Sequence, residues 1–232
     1  MEAFVSLWSA DLLALGQDVR RVEDRVEGFH IDVFDGHNVP ELLFGPDLVE
    51  ALRAFTAARI EVHLNVTDPR YWIGRFAAAG ADIITVQSGP CDDVAGVLGQ
   101  IRDTGCEAGL GIELEEPTGG AAGFFGLATR LLLLGTPIGV KGRQLDPATP
   151  ARVADLVRLR EGSPHHPAIV VDGGVRRHTV PLLAAAGADG VIPGALVYGA
   201  DDPVAVLDEI AALAPGSDPL AASAFWSAGA WT

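Results

Sequence analysis

The chain has 232 residues, 49% of them hydrophobic, which is enough for one domain with a sizeable core; 31 acidic side chains against 16 basic ones leave a formal charge of -15. That charge argues against nucleic acid as a partner, because phosphate backbones are bound mainly through Lys and Arg. The longest apolar runs, such as Leu131 to Leu134, fall far short of the roughly 20 residues a membrane span needs, and Cys91 and Cys106 lack the spacing of a metal site or a disulfide framework.

Short apolar runs alternate with amphipathic stretches from end to end, the pattern of repeated strand and helix units on a parallel sheet. No basic stretch followed by a signal-type apolar segment opens the sequence, so a cytoplasmic protein is expected. The first strand is predicted over 3–8, with Ser6 and Trp8 on one face, and a helix over 11–26 follows. The second, 28–34, carries His30, Asp32 and Phe34 on one face and Ile31 and Val33 on the other, since strand side chains alternate; a helix over 46–56 follows. The third, 59–65, repeats that polarity, with Glu61, His63 and Asn65 opposite Val62 and Leu64, before a helix over 69–79. The fourth (81–87, with Thr85 and Gln87 inward) and fifth (107–113, with Gly111 and Glu113 inward) precede helices over 92–104 and 117–127. The sixth, 129–135, runs into the loop Gly139-Val-Lys-Gly-Arg-Gln, which holds Lys141, the only lysine in the chain, and then a helix over 149–161. The seventh, 167–172, ends in Asp172-Gly-Gly, and the eighth, 189–194, in Pro193-Gly-Ala-Leu, with helices over 178–187 and 203–214.

Asp, Pro or Thr introduces several of these helices, and Ala79-Gly-Ala-Asp and Ala186-Gly-Ala-Asp are matching helix-to-strand turns with glycine at the cap. Eight units imply a closed α/β barrel of the (β/α)8 type, a single domain over 1–214 followed by a tail over 215–232. The tail carries Phe225, Trp226 and Trp231, for which a subunit contact in a homo-oligomer is one reading and a disordered tail or one folded back on the barrel the other.

Active sites of such barrels form at the C-terminal strand ends. His30, Asp32, His63 and Asp172 lie there on three strands, an N/O donor set suited to a divalent transition metal. Asp32 and Asp172 would face each other across a bound substrate, which suits inversion of a carbon acid: one carboxylate removes the proton alpha to a carbonyl and the other returns one to the opposite face. Gly173 and Gly174 after the seventh strand and Gly194 and Ala195 after the eighth offer unhindered backbone N–H groups, and with Lys141 and Gly142 they form a candidate phosphate cradle.

Five segments carry a family resemblance over nearly all of 4–200: Val5-Ser-Leu-Trp-Ser-Ala-Asp, His30-Ile-Asp-Val-Phe-Asp-Gly-His-Asn-Val-Pro, Val62-His-Leu, Ala78-Ala-Gly-Ala-Asp-Ile-Ile-Thr-Val and Val171-Asp-Gly-Gly-Val. In these the chain resembles ribulose-phosphate 3-epimerases and related ketose-phosphate 3-epimerases. The resemblance implies a TIM barrel holding a divalent ion, zinc foremost with Mn, Fe or Co as alternatives, on His30, Asp32, His63 and Asp172. It also implies Asp32 and Asp172 as the acid/base pair, Ser6 as a substrate contact, and a small phosphorylated sugar as substrate. Departures surround the substrate: Phe34, Asn65 and Gly135 stand where the family has methionines, Gln87 where histidine is usual, Glu113 where asparagine is usual, and Ala195 where a phosphate-binding serine is common. Aldol cleavage or aldose–ketose isomerisation on the same barrel, and a barrel that keeps the metal site without turnover, are the alternative readings. Decarboxylase chemistry of the orotidine type is disfavoured because Asp32-x-x-Asp35 lacks the lysine that chemistry needs.

Overall fold

The computed structural model describes residues 1–218; the aromatic part of the expected tail, with Phe225, Trp226 and Trp231, lies outside the described residues. Eight parallel strands, β1 (Glu2–Ser6), β2 (Gly28–Asp35), β4 (Arg59–Asn65), β5 (Ile83–Gln87), β6 (Glu107–Ile112), β7 (Arg130–Leu134), β8 (Ala168–Asp172) and β9 (Gly190–Ile192), form a barrel. It closes because β1 pairs with both β2 and β9. β3 (Leu42–Leu43) is an addition, a two-residue antiparallel partner that folds back on the end of β2.

Helices α1 (Leu15–Val22), α2 (Pro46–Phe55), α3 (Pro69–Ala79), α4 (Val94–Asp103), α5 (Thr149–Glu161), α6 (Val180–Ala186), α7 (Ala195–Tyr198) and α8 (Pro203–Ala211) lie along the chain between and after the strands. Their starts follow side-chain chemistry. Asp68, Asp93 and Asp202 each accept a hydrogen bond from the backbone N–H three residues on, at 3.3, 2.9 and 3.0 Å, satisfying a donor the first turn leaves open. The helix expected over 117–127 is instead a 3-10 segment, Thr118–Phe124, since Gly119, Gly120 and Gly123 weaken α-helix propagation.

The twin Gly-Ala-Asp turns do the same work twice. Gly80 and Gly187 close α3 and α6 in the left-handed region, at φ of 103° and 98°. Asp82 and Asp189 then accept the backbone N–H of Ile60 and Ile169, each at 2.8 Å, and pair with Arg53 and Arg160. Each turn thus pins the start of one strand to its predecessor at the barrel floor.

Two apolar regions divide the core. The larger packs outward-facing strand residues such as Ile31, Val62, Val86 and Leu133 against the helices. The smaller, Phe4, Ile83, Leu132, Val170 and Ile192, fills the barrel itself, and burying a side chain of that size contributes about 1.5–3 kcal/mol. A Cβ on Gly28 would sit 2.5 Å from the Phe4 ring, so that glycine gives the ring its place.

Candidate active site

The strand register brings the four expected ligands together. His30 lies beside Glu61 and Asp32 beside His63 across β2 and β4, all pointing into the barrel, while Asp172 ends β8. One ligand atom from each of His30, Asp32, His63 and Asp172 lies within 4.8 Å of all the others. His30 Nε2 is 3.3 Å from Asp32 Oδ1 and 3.9 Å from Asp172 Oδ2, and His63 Nδ1 is 3.2 Å from Asp32 Oδ1.

Electrostatics separate the two carboxylates. Burial pushes Asp32 up, but His30 and His63 on its oxygens outweigh that and hold it well below the usual carboxylate range. Asp172 moves the other way, to about 6, through burial and the charge of Asp32. Burial disfavours charge on His30, yet Asp32 and Glu61, one at each ring nitrogen, raise its pKa well above the ordinary value. Without a metal, a proton on His30 is the cation that these carboxylates share.

The rest of the surroundings suit a divalent ion. His30 Nδ1 meets Glu61 Oε2 at 3.1 Å, and a carboxylate there keeps the proton on Nδ1 and leaves the Nε2 lone pair for a ligand bond. His63 Nε2 lies 2.7 Å from the Gln87 amide, whose buried Oε1 has no hydrogen-bond partner. A half-turn of that amide brings Oε1 onto His63 Nε2–H, which satisfies the orphan and frees Nδ1 to coordinate. β6 makes room for these partners. Gly109 and Gly111 stand opposite Thr85 and Gln87, and a Cβ would meet the Thr85 hydroxyl at 2.1 Å or the Gln87 amide at 2.6 Å. The donor set and its outer partners therefore fit a metal.

A cleft of about 330 Å³ opens above the quartet. Ser6, Phe34, Asn65, Gly173, Gly174, Gly194 and Ala195 line it, as do Lys141 and Gly142 from the loop after β7. Trp8 meets Phe34 edge-on, with centroids 5.1 Å apart, and Lys141 Nζ lies 4.5 Å from the Trp8 ring centroid while donating to the Trp8 carbonyl oxygen. Asn65 Oδ1 is buried without a partner. The turn after β8 needs its glycines: φ is +88° at Gly173 and +69° at Gly174, and a Cβ on Gly174 would lie 2.4 Å from the Leu145 backbone. At Gly194 a Cβ would lie 2.3 Å from the Ser9 hydroxyl. Lys141, Arg143 and Arg176 line this cleft and form no salt bridge among the described residues, although the chain as a whole is acidic.

The family model for the ribulose-phosphate 3 epimerase family matches residues 3–198. The chain belongs to that family. It is 33% identical over 207 residues to "Ribulose-phosphate 3-epimerase" of Bacillus subtilis strain 168, covering 88% of this chain and 95% of that one. It is 32% identical over 207 residues to the protein of that name in Escherichia coli K12, at 88% and 92% coverage. Among solved structures, a 3-hexulose-6-phosphate synthase superposes with a TM-score of 0.66 at 20% identity, covering 92% of this chain and all of that one. Orotidine 5'-phosphate decarboxylase from Pyrococcus horikoshii OT3 gives 0.64 at 16%, covering 90% and 96%. These two likenesses concern the fold alone.

Within this epimerase family member, three participants escape a reading of motifs. Glu61 shows only as part of a shared strand face, because the histidine it meets, His30, lies on the neighbouring strand. Arg130 is marked only as a charge opening the run Arg-Leu-Leu-Leu-Leu. Arg176 is marked by following Asp172-Gly-Gly-Val.

Proposed function

We propose that this chain is a metal-dependent epimerase that inverts C3 of a small ketose phosphate, of the ribulose 5-phosphate kind, through an enediolate. The observation that carries the reading is the His30, Asp32, His63 and Asp172 quartet, with its two aspartates on β2 and β8. Asp32 and Asp172 are the proton-transfer pair: one takes the C3 proton and the other delivers a proton to the opposite face, each role contributing about 10²- to 10⁴-fold. In the metal-free protein their pKa values shift in opposite directions, which makes Asp172 the more basic carboxylate of the pair and Asp32 the less basic. When bound by these four residues, a divalent ion would supply Lewis-acid stabilisation of the negative charge that develops on the substrate, worth several kcal/mol on the order-of-magnitude scale for such ions. Two nitrogen and two oxygen donors favour zinc, with Mn, Fe or Co as alternatives.

Ser6, Phe34 and Asn65 are assigned to the carbon chain of the substrate. The phosphate is assigned to the turns at Gly173, Gly174, Gly194 and Ala195, with Gly142 and Lys141 closing over it. The cations of the cleft, none of them in a salt bridge among the described residues, support an anionic substrate, and Lys141 or Arg143 supplies a donor where Ala195 lacks a hydroxyl. A cytoplasmic location goes with a sugar phosphate as substrate. A homo-oligomer goes with the exposed Leu12 and Leu13 on the loop after β1 and the exposed Leu42 in β3, and light scattering on the purified protein checks it.

Zinc-loaded protein in D₂O, offered ketose phosphates of four to six carbons, tests the reaction by NMR. The expected result is deuterium at C3 in both epimers, with no chain cleavage and no movement of the carbonyl. Asp32→Asn and Asp172→Asn should each lower kcat by about 10²-fold or more. Cleavage products would assign the aldolase reaction instead, and absence of exchange from every ketose would leave a barrel without turnover.

A further inference from the structure

Arg130 opens β7 with its guanidinium inside the barrel, 3% exposed, in a strand whose other four residues are leucine. A buried cation is retained only where carboxylates or hydrogen-bond acceptors meet it. Arg130 has two: one nitrogen donates to Glu61 Oε2 at 3.3 Å, the other to Glu2 Oε2 at 3.2 Å, and the guanidinium carbon lies 4.2 Å from the Phe4 ring centroid. Glu61 is fully buried, and its other oxygen accepts the Thr85 hydroxyl at 2.8 Å. The oxygen that faces Arg130 is also the one that meets His30 Nδ1. An unbroken chain of polar contacts therefore runs Glu2, Arg130, Glu61, His30 from the barrel floor to the candidate metal ligands.

Filling space does not explain the arginine. The same interior is packed elsewhere by Phe4, Ile83, Leu132, Val170 and Ile192, and a leucine or methionine at 130 would seal the floor as well. Glu2 is only half-buried, so water shares its charge with Arg130. Glu61 is the fully buried carboxylate of the two, and among its contacts only Arg130 brings a fixed charge, since Thr85 is neutral and His30 is a cation only when protonated.

We propose that Arg130 is a positioning residue for the metal site: by clamping Glu61 it fixes the His30 ring so that Nε2 faces the other three ligands. This rests on the metal reading given under Proposed function. The role is second-hand, since Arg130 reaches neither substrate nor ligand atoms, and it acts through one carboxylate.

A double-mutant cycle on zinc affinity tests it, read by competition with a chromogenic chelator on wild type, Arg130→Met, Glu61→Gln and the double variant, with circular dichroism of each metal-free protein. Arg130→Met should weaken zinc by about 10- to 100-fold, the range for loss of an outer-shell partner. In the Glu61→Gln background the same change should cost less than about threefold, because a neutral amide needs no guanidinium. Arg130→Lys should recover part of the loss. Should Arg130→Met fail to fold, Arg130→Lys made in both the wild-type and the Glu61→Gln backgrounds gives the same comparison with a smaller expected loss. Unchanged zinc affinity in a folded Arg130 variant, or an equal loss in both backgrounds, overturns the proposal while leaving the metal reading intact. Wild-type protein that takes up no zinc overturns the metal reading and this inference with it.

Discussion

At the scale of single residues, metal and protons compete for the same atoms. His30 holds its proton to a pH above the ordinary imidazole value because two carboxylates flank it, and Asp172 carries one up to about pH 6. A metal requires both groups deprotonated. Zinc affinity should therefore fall as pH drops through about 6, and binding at neutral pH should release a proton from His30. Calorimetry in two buffers of different ionisation enthalpy measures that release, and an enthalpy independent of buffer would contradict it. Lys141 gives a second expectation at this scale. Burial lowers its pKa, the nearby charge of Asp32 partly restores it, and its ammonium is held over Trp8 at the mouth. Lys141→Ala should raise KM for a phosphorylated ketose about tenfold with a smaller change in kcat, as loss of one charge-assisted contact does; an unchanged KM would remove Lys141 from the phosphate end. The clustering of the four candidate ligands was legible in the sequence because residues two apart on a strand must share a face, and because glycine follows Asp172 where the backbone must turn. Glu61, Gln87 and Arg130 were less legible as partners, since which strand lies beside which histidine, and at what register, follows from pairing distant in sequence.

At the scale of elements, Asp35 shows how the site's loops are held. It ends β2 and accepts hydrogen bonds from the backbone N–H groups of His37 (2.9 Å), Asn38 (2.9 Å) and Thr67 (2.7 Å) and from the Thr67 hydroxyl (2.8 Å). Burial is the largest single influence and raises its pKa, but these donors together prevail and hold it well below the usual range. The second aspartate of the His-x-Asp-x-x-Asp-Gly block is thus an anchor tying the loop after β2 to the one after β4. A depressed carboxylate stabilises the fold above its unfolded pKa of about 4 and withdraws that contribution as pH falls below it. Asp35→Ala should cost about 1–2 kcal/mol at pH 7, and the cost should shrink toward pH 3; urea midpoints across that range measure it, and a constant difference would contradict the assignment. Strand positions were the most legible elements, each observed end lying within two residues of expectation, because apolar runs between Gly and Asp turns mark them closely. β3 was invisible, being two residues with no alternation, and the segment at Thr118–Phe124 was misread as an α-helix because its length and position in the repeat outweighed its glycines. α7 was also missed, as four residues are too few to show a helical period.

For the whole molecule, the candidate ligands tie together strands that are far apart in sequence. His30 and Asp32 on β2, His63 on β4 and Asp172 on β8 span most of the chain, and the shorter way round the barrel from β8 to β2 runs through β9 and β1. That short arc closes with few residues: β1 pairs with β9 at two positions and with β2 at three. Eight repeated units made closure legible in the sequence, whereas its thin seam follows from the brevity of β9, visible only once the pairs are formed. An ion held across the arc binds the closed barrel and not the open chain, so zinc should raise the unfolding temperature by mass action. At a free concentration near one hundred times its dissociation constant, the gain is about 2.7 kcal/mol. For a chain of this size each kcal/mol moves Tm by about 2–4 °C, so the rise should be about 5–10 °C and should vanish with a chelator. His63→Ala removes one ligand and leaves the seam intact, so its metal-free Tm should respond little to zinc. A zinc-dependent rise in His63→Ala equal to that of the wild type would place the ion elsewhere, and scanning calorimetry with and without zinc on both proteins separates the two results.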